Sequence, residues 1–210
     1  MGIMAQSYWG YTHTRSRLRV WVGLALLEMM AATFSQPAHA NIVGDNAYVL
    51  NQSRSKITFS IGHFLVSSTE GKFANFDGKL TFEPGAPERG SVIVHVDTNS
   101  ISTGITARDE HLRTADFFDV AKFPSATFQS TDLTKSSNTT GTLTGQLSLH
   151  GVTRPITLNV TLHTPDLNAD RLDFSIVGLL KRSDYGMNNF EGMIGDEVSL
   201  DIEAEFDRGH

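Results

Sequence analysis

The 210-residue sequence contains no cysteine. That excludes disulfide scaffolds, thiolate-held zinc or iron–sulfur sites, thiol nucleophiles and cysteine-linked lipid anchors. Positive charge is scarce too: 17 Lys and Arg stand against 23 Asp and Glu, a formal charge of −6. No cluster of basic residues offers itself to a phosphate backbone, so nucleic acid is an unsuitable partner. No apolar run reaches the ~20 residues a spanning helix needs. The signatures H-E-x-x-H, G-x-S-x-G, Walker A and the dinucleotide glycine fingerprint are also missing. What remains, 40% hydrophobic and 19% charged residues, is the composition of one folded domain with its own core.

The first 40 residues differ from the rest. Arg15, Arg17 and Arg19 precede an apolar run from Val20 to Leu27, which continues through Met29, Met30, Ala31 and Ala32 after an interruption at Glu28. It ends at Ala38-His39-Ala40, a small-x-small site for a signal peptidase. Residues 1–40 therefore read as a secretory signal peptide, with a retained membrane anchor as the alternative, and 41–210 as an exported domain. A cysteine-free acidic domain of this kind suits a bacterial periplasm. Trp9 and Trp21 are the only tryptophans, so the processed protein is expected to lack Trp fluorescence.

Beyond the leader, period-2 alternation dominates. Leu143, Gly145, Leu147 and Leu149 alternate with polar residues, as do Ile156, Leu158, Val160 and Leu162, and again Val198, Leu200, Ile202, Ala204 and Phe206. Such runs are strands with one apolar and one wet face. Further strands are expected at 57–61, 73–82, 91–96, 126–133 and 172–180, joined by short Gly/Pro/Asn-containing antiparallel connections. The fold class is all-β, about eight strands in one domain. Alternation reports a buried face and not closure, so a barrel and a two-sheet sandwich both satisfy it. One segment departs from the rhythm: Thr106-Ala107-Arg108-Asp109 has the spacing of a capping box and predicts a short helix to about Ala115.

Sites of chemistry are harder to find. His63, His95, His111, His150, His163 and His210 never pair at metal-ligand spacing, and no metal site is expected. His95, His150 and His163 fall on the polar phase of their strands. The carboxylate pairs Asp109 and Glu110, Asp116 and Asp119, and Asp196 and Glu197 read as solvated loop and cap residues rather than as an acid–base pair.

Four segments together resemble the YceI family of periplasmic, lipocalin-like polyisoprenoid-binding proteins. They are Ser55-Lys56-Ile57-Thr58-Phe59-Ser60-Ile61-Gly62-His63 with Glu70-Gly71-Lys72-Phe73 and Phe76-Asp77-Gly78; Arg108-Asp109-Glu110-His111-Leu112-Arg113 with Ala115-Asp116-Phe117-Phe118-Asp119-Val120 and Phe123-Pro124; the stretch from Leu143 to Thr153 leading to Pro155; and Arg182-Ser183-Asp184-Tyr185-Gly186 with Gly195-Asp196-Glu197-Val198. The most specific of these is R-D-x-H-L with its F-F-D-V continuation. The resemblance spans 48–206. Departures occur around His63, flanked by Ile61-Gly62 and Phe64-Leu65, and in Asn188-Asn189-Phe190-Glu191-Gly192-Met193.

The resemblance implies an eight-stranded antiparallel barrel with a short helical insertion, enclosing an apolar tunnel. The implied ligand is a long-chain isoprenoid, a prenyl chain or an isoprenoid quinone, and no catalytic cofactor. Homodimerisation is implied as well; a transient membrane-protein partner is a separate expectation, tied to the quinone-presenting alternative below. Positions expected to line the ligand tail are Ile57, Phe59, Ile61, Phe73, Leu147, Leu149, Leu158, Val160, Phe174, Ile176, Leu200 and Ile202. For a polar head group, the cationic and switchable donors His63, Arg108, His111 and Arg182 are the candidates. The expected function is a periplasmic carrier without catalysis. The alternatives are a quinone-presenting accessory to a membrane cytochrome b561-type protein, or a lipid head-group enzyme with R-D-x-H as its active site.

Overall fold

A computed structural model describes residues 47–63, 67–164 and 166–209; the leader, 1–40, lies outside them. Among the described residues the strands are β1 Ala47–Leu50, β2 Lys56–His63, β3 Ser67–Phe73, β4 Phe76–Glu83, β5 Ala86–Asp97, β6 Ile101–Ser102, β7 Ser125–Lys135, β8 Thr140–Leu149, β9 Val152–Leu162, β10 Arg171–Lys181 and β11 Ile194–Arg208, with one α-helix, α1, at Thr106–Leu112. Every ladder between strands is antiparallel. On one edge of β11, β2 pairs along residues 194–203 and β1 continues the ladder at 206–208. In the same way β3 runs on into β4, and β5 into β6. The eleven segments thus form eight long strands in sequence order, and the β1–β11 pairing closes them into an up-and-down barrel. Closure leaves the sheet without a terminal edge strand among the described residues.

Three neighbouring strands are broken at the same level. The first break is at 51–55, the second at residues 74 and 75, and the third is the 3-10 turn Thr98–Ser100. Side chains knit them: Gln52 Nε2 donates to the Ala74 carbonyl, Asn75 Nδ2 to Asp97 Oδ2, and the N–H groups of Ala74 and Asn75 to Ser100 Oγ. The single strand expected over 73–82 is divided here, and the four-residue β1 and two-residue β6 are pieces too short to carry a period.

The helix also differs from expectation. It stops at Leu112, and its N-cap is Ile105 with no side-chain cap. The Asp109 carboxylate is taken by an upstream residue: Thr103 donates both its N–H and its Oγ1 hydroxyl to Oδ1, at 2.7 and 2.6 Å. Beyond Leu112 the chain is tied down by Arg113, which donates to the Asn99 and Ile101 carbonyls. His150 sits not on a strand face but in the β8–β9 turn, half-buried. With Gly151 it supplies two left-handed residues (φ 51 and 76), the geometry of a type I′ hairpin.

The meander puts α1, the His150–Gly151 turn and the 182–193 connection at one end of the barrel. Connection 136–139 and residues 163–164 and 166–170, with the start of β1 and the end of β11, occupy the other. Part of that second, terminal end is tightly packed. Tyr48 (1% exposed), Phe82 (7%), Leu172 (0%) and Phe206 (3%) form its centre. Tyr48 stacks on Phe82 at 5.6 Å, its hydroxyl donates to the Ala169 carbonyl at 2.9 Å, and Arg208 covers its ring. Burial pushes the Tyr48 phenol up from its ordinary value.

Candidate functional site: an apolar lumen with a cationic mouth

Between this packed cluster and α1 the barrel is not filled. The inward phases of the strands surround about 670 Å³ of free space, within the range of small-molecule sites. All twelve residues expected on the tail path, from Ile57 and Phe59 on β2 to Leu200 and Ile202 on β11, border this lumen. The structure adds others. Phe128 and Leu143 belong to the same alternating phases and could have been nominated from them. Phe117 and Phe118 after α1, and Phe190 and Met193 in the 182–193 connection, sit in irregular chain where no period marks them. On the β7–β8 side the lining ends in Lys135, Ser137, Asn138, Thr139 and Thr140.

Polar groups gather at the α1 end. Arg108, half-buried, borders the lumen and donates to Thr103 Oγ1 (2.7 Å), the Thr103 carbonyl (3.1 Å) and Thr69 Oγ1 (3.4 Å). Among the described residues no carboxylate forms an ion pair with it. Thr103 links it to Asp109, accepting from Arg108 and donating to the carboxylate. Burial works to raise the Asp109 carboxyl, but hydrogen bonds from Thr103 and Ser102 together with the Arg113 charge outweigh it and hold the group below the usual carboxylate range. Two adjacent residues of the sequence are thus separated by a relay: the carboxylate is occupied, and the guanidinium keeps N–H groups free at the lumen.

His111 borders the lumen from the last turn of α1 and is exposed. Its Nε2 lies 3.0 Å from Asp116 Oδ2, and its ring meets Phe117 and Phe190 edge-on at 5.1 and 5.5 Å. Phe117 and Phe190 stack at 5.4 Å, and Asn189 Nδ2 donates to the Asp116 carbonyl. The insertion and the 182–193 connection are therefore stitched together across the mouth.

Arg182 is buried, 5% exposed, and also borders the lumen. Its guanidinium donates to the carbonyls of Gly195, Met187, Asn189 and Ile194. Most of its donors are thereby committed to shaping the wall, which leaves Arg108 the freer cation. Beside it, Ser183 donates its N–H and hydroxyl to Asp196, holding that carboxyl below its ordinary range. The side chain of His63 lies outside the described residues; its backbone pairs with Ser67 and Ile194 at the same end. An apolar tube with guanidinium groups at one end is complementary to an amphiphile with a long apolar tail and an anionic or carbonyl head.

Comparison with known proteins points one way. Residues 48–206 match the YceI-like domain. A protein named YceI from Salmonella newport is 38% identical over 152 residues, covering 71% of this chain and 79% of that protein. Among solved structures, BcnA of Burkholderia cenocepacia superposes with a TM-score of 0.69 at 24% identity, covering 74% of this chain and 98% of its own. A polyisoprenoid binding domain from Saccharophagus degradans, implicated in plant cell wall breakdown, does so at 0.62 and 21%, covering 78% of this chain and 99% of its own. At these identities the two structures establish the fold.

Proposed function

The chain belongs to the YceI family, and from that membership and its open apolar lumen we propose that it binds one long-chain isoprenoid lipid and carries it through the periplasm. The carrying observation is the unfilled space itself. An eight-stranded barrel is just wide enough for its own side chains to close it or for one slender ligand to enter, and this one keeps about 670 Å³ open along apolar walls. Strands β7 to β10 are 10 or 11 residues long, which at ~3.3 Å per residue and the usual barrel tilt is an axial path of roughly 25–30 Å, comparable to several extended isoprene units. Each buried methylene equivalent contributes on the order of 0.8 kcal/mol before ordering costs, so affinity comes from tail length and shape. The head group, a phosphate or a quinone carbonyl, sits at the α1 mouth against Arg108, with His111 beside it. Both are donors suited to holding a head group, and the role is binding without catalysis. The leader with its Ala38-His39-Ala40 site supports export.

The test is native mass spectrometry of protein purified from its own periplasm, followed by organic extraction of the bound material. A stoichiometric ligand with a prenyl fragmentation ladder is expected, and a quinone absorbance band would identify an isoprenoid quinone as the cargo. Delipidated protein that takes up no prenyl lipid at micromolar concentration would overturn the reading.

A further inference from the structure

Three glycines occupy strand positions whose neighbours in phase line the lumen. Gly71 lies between Thr69 and Phe73 on β3, Gly145 between Leu143 and Leu147 on β8, and Gly178 between Ile176 and Leu180 on β10. Glycine inside a strand weakens it, since it loses the most chain entropy and brings no side chain to pack. None of the three has a positive φ, so backbone conformation does not call for glycine here. A neighbouring side chain does. A methyl carbon at Gly71 would lie 2.4 Å from Phe59 Cζ, one at Gly178 2.4 Å from Leu158 Cδ2, and one at Gly145 2.5 Å from both Phe128 Cζ and the Gln129 carbonyl oxygen, where ordinary contact begins near 3.4 Å.

Each large side chain therefore rests in the place where the glycine's own would stand, crossing to the adjacent strand along the wall instead of projecting to the axis. Phe59 and Gly71 are directly opposed across β2 and β3, as are Leu158 and Gly178 across β9 and β10. Leu200 pairs with both Phe59 and Gly178, which joins the two arrangements in one row across the barrel.

We infer that Gly71, Gly145 and Gly178 set the bore of the lumen, and that this bore selects a methyl-branched chain over a straight one. With backbone beneath the displaced ring, a methyl group on the glycine sends it toward the open axis by about 1 Å, the difference between the contact imposed and an ordinary one. A straight acyl chain in the native bore leaves gaps and forfeits dispersion contacts, whereas branches along a prenyl chain fill them. The inference rests on the lumen being a lipid site.

Geranylgeraniol and 1-hexadecanol share a sixteen-carbon main chain and differ in four methyl branches and four double bonds; phytanol, branched and saturated, is titrated beside them and should follow geranylgeraniol. Full-length wild type, Gly71→Ala, Gly178→Ala and the double variant Gly71→Ala/Phe59→Leu are titrated with each by native mass spectrometry, and the structure of Gly71→Ala is determined. Gly71→Ala and Gly178→Ala should each lose about tenfold or more in affinity for geranylgeraniol, and no more than about twofold for hexadecanol. The double variant should recover the branched ligand, because leucine returns the space. Equal losses for branched and straight alcohols, no loss in a folded variant, a Phe59 ring still flat on the wall, or failure of both single variants to fold would overturn the inference. A wild type that binds none of the alcohols would instead remove the proposed function, with the Phe59 position still deciding the bore.

Discussion

At the terminal end of the barrel Tyr48, Phe82, Leu172 and Phe206 converge on the axis and exclude solvent almost completely. Higher up, Phe59, Phe128, Val160 and Leu200 point to the same axis and are only half-buried, facing the lumen. Both regions are made by the same inward phase of the same strands, and both are apolar. What separates them is what stands opposite. In the packed cluster, rings meet rings and Tyr48 is pinned by the Ala169 carbonyl and the Arg208 guanidinium. In the open region, glycines face Phe59 and Leu158 and let them lie along the wall. Polarity decides which face of a strand is inside; side-chain volume and direction decide whether the inside is a core or a container.

This contrast can be broken most forcefully at Leu172. It is fully buried and lies outside the lumen lining, so Leu172→Ala opens a cavity in close-packed surroundings. It should lower unfolding free energy by about 2–5 kcal/mol, read from urea denaturation midpoints.

A smaller effect is expected at the mouth. Asp109→Asn weakens two hydrogen bonds to a buried carboxylate and should lower stability by about 1–3 kcal/mol at neutral pH. The folded-state pKa of Asp109 is depressed, so its contribution is present above the unfolded carboxylate value, near 3.9, and disappears as pH falls through the folded value. Asp196 and Asp207 are depressed as well, Asp196 by the Ser183 hydrogen bonds and Asp207 by those of Asn51 and Arg54. Wild type should therefore lose stability below about pH 4, and Asp109→Asn should lose it less steeply over the same range; melting curves across pH measure both.

Smallest of the three is Leu200→Ala, which trims a side chain already in contact with empty space. It should lower stability by about 1 kcal/mol, well below Leu172→Ala, because little new cavity is created. Equal costs at Leu200 and Leu172 would mean that the lumen collapses or is filled, and would end the comparison.

Much of this arrangement is readable in one dimension. The long alternating runs ending at Leu149, Leu162 and Phe206 assign the inward residues of β8, β9 and β11 correctly, since a strand's period is independent of its partners. The tail-path candidates fall on the lumen for that reason. Where the chain leaves regular structure, nothing periodic survives. Phe190 and Met193 reach the mouth through a connection, and β1 and β6 are too short to alternate. Thr106 and Asp109 have capping-box spacing, yet the carboxylate went to Thr103, a competitor that local spacing does not weigh. Arg182 illustrates the same limit. Its charge marks it for an anion, but the fold surrounds it with four backbone carbonyls.

The sequence alone determined the all-β class, the apolar face of each long strand and the family, because period and motif are properties of neighbouring residues. Closure, the packed cluster at the terminal end, the open lumen and the division of labour between Arg108 and Arg182 were decided only in three dimensions. Each depends on which side chains from distant strands share a space, and a linear pattern contains the residues without the distances between them.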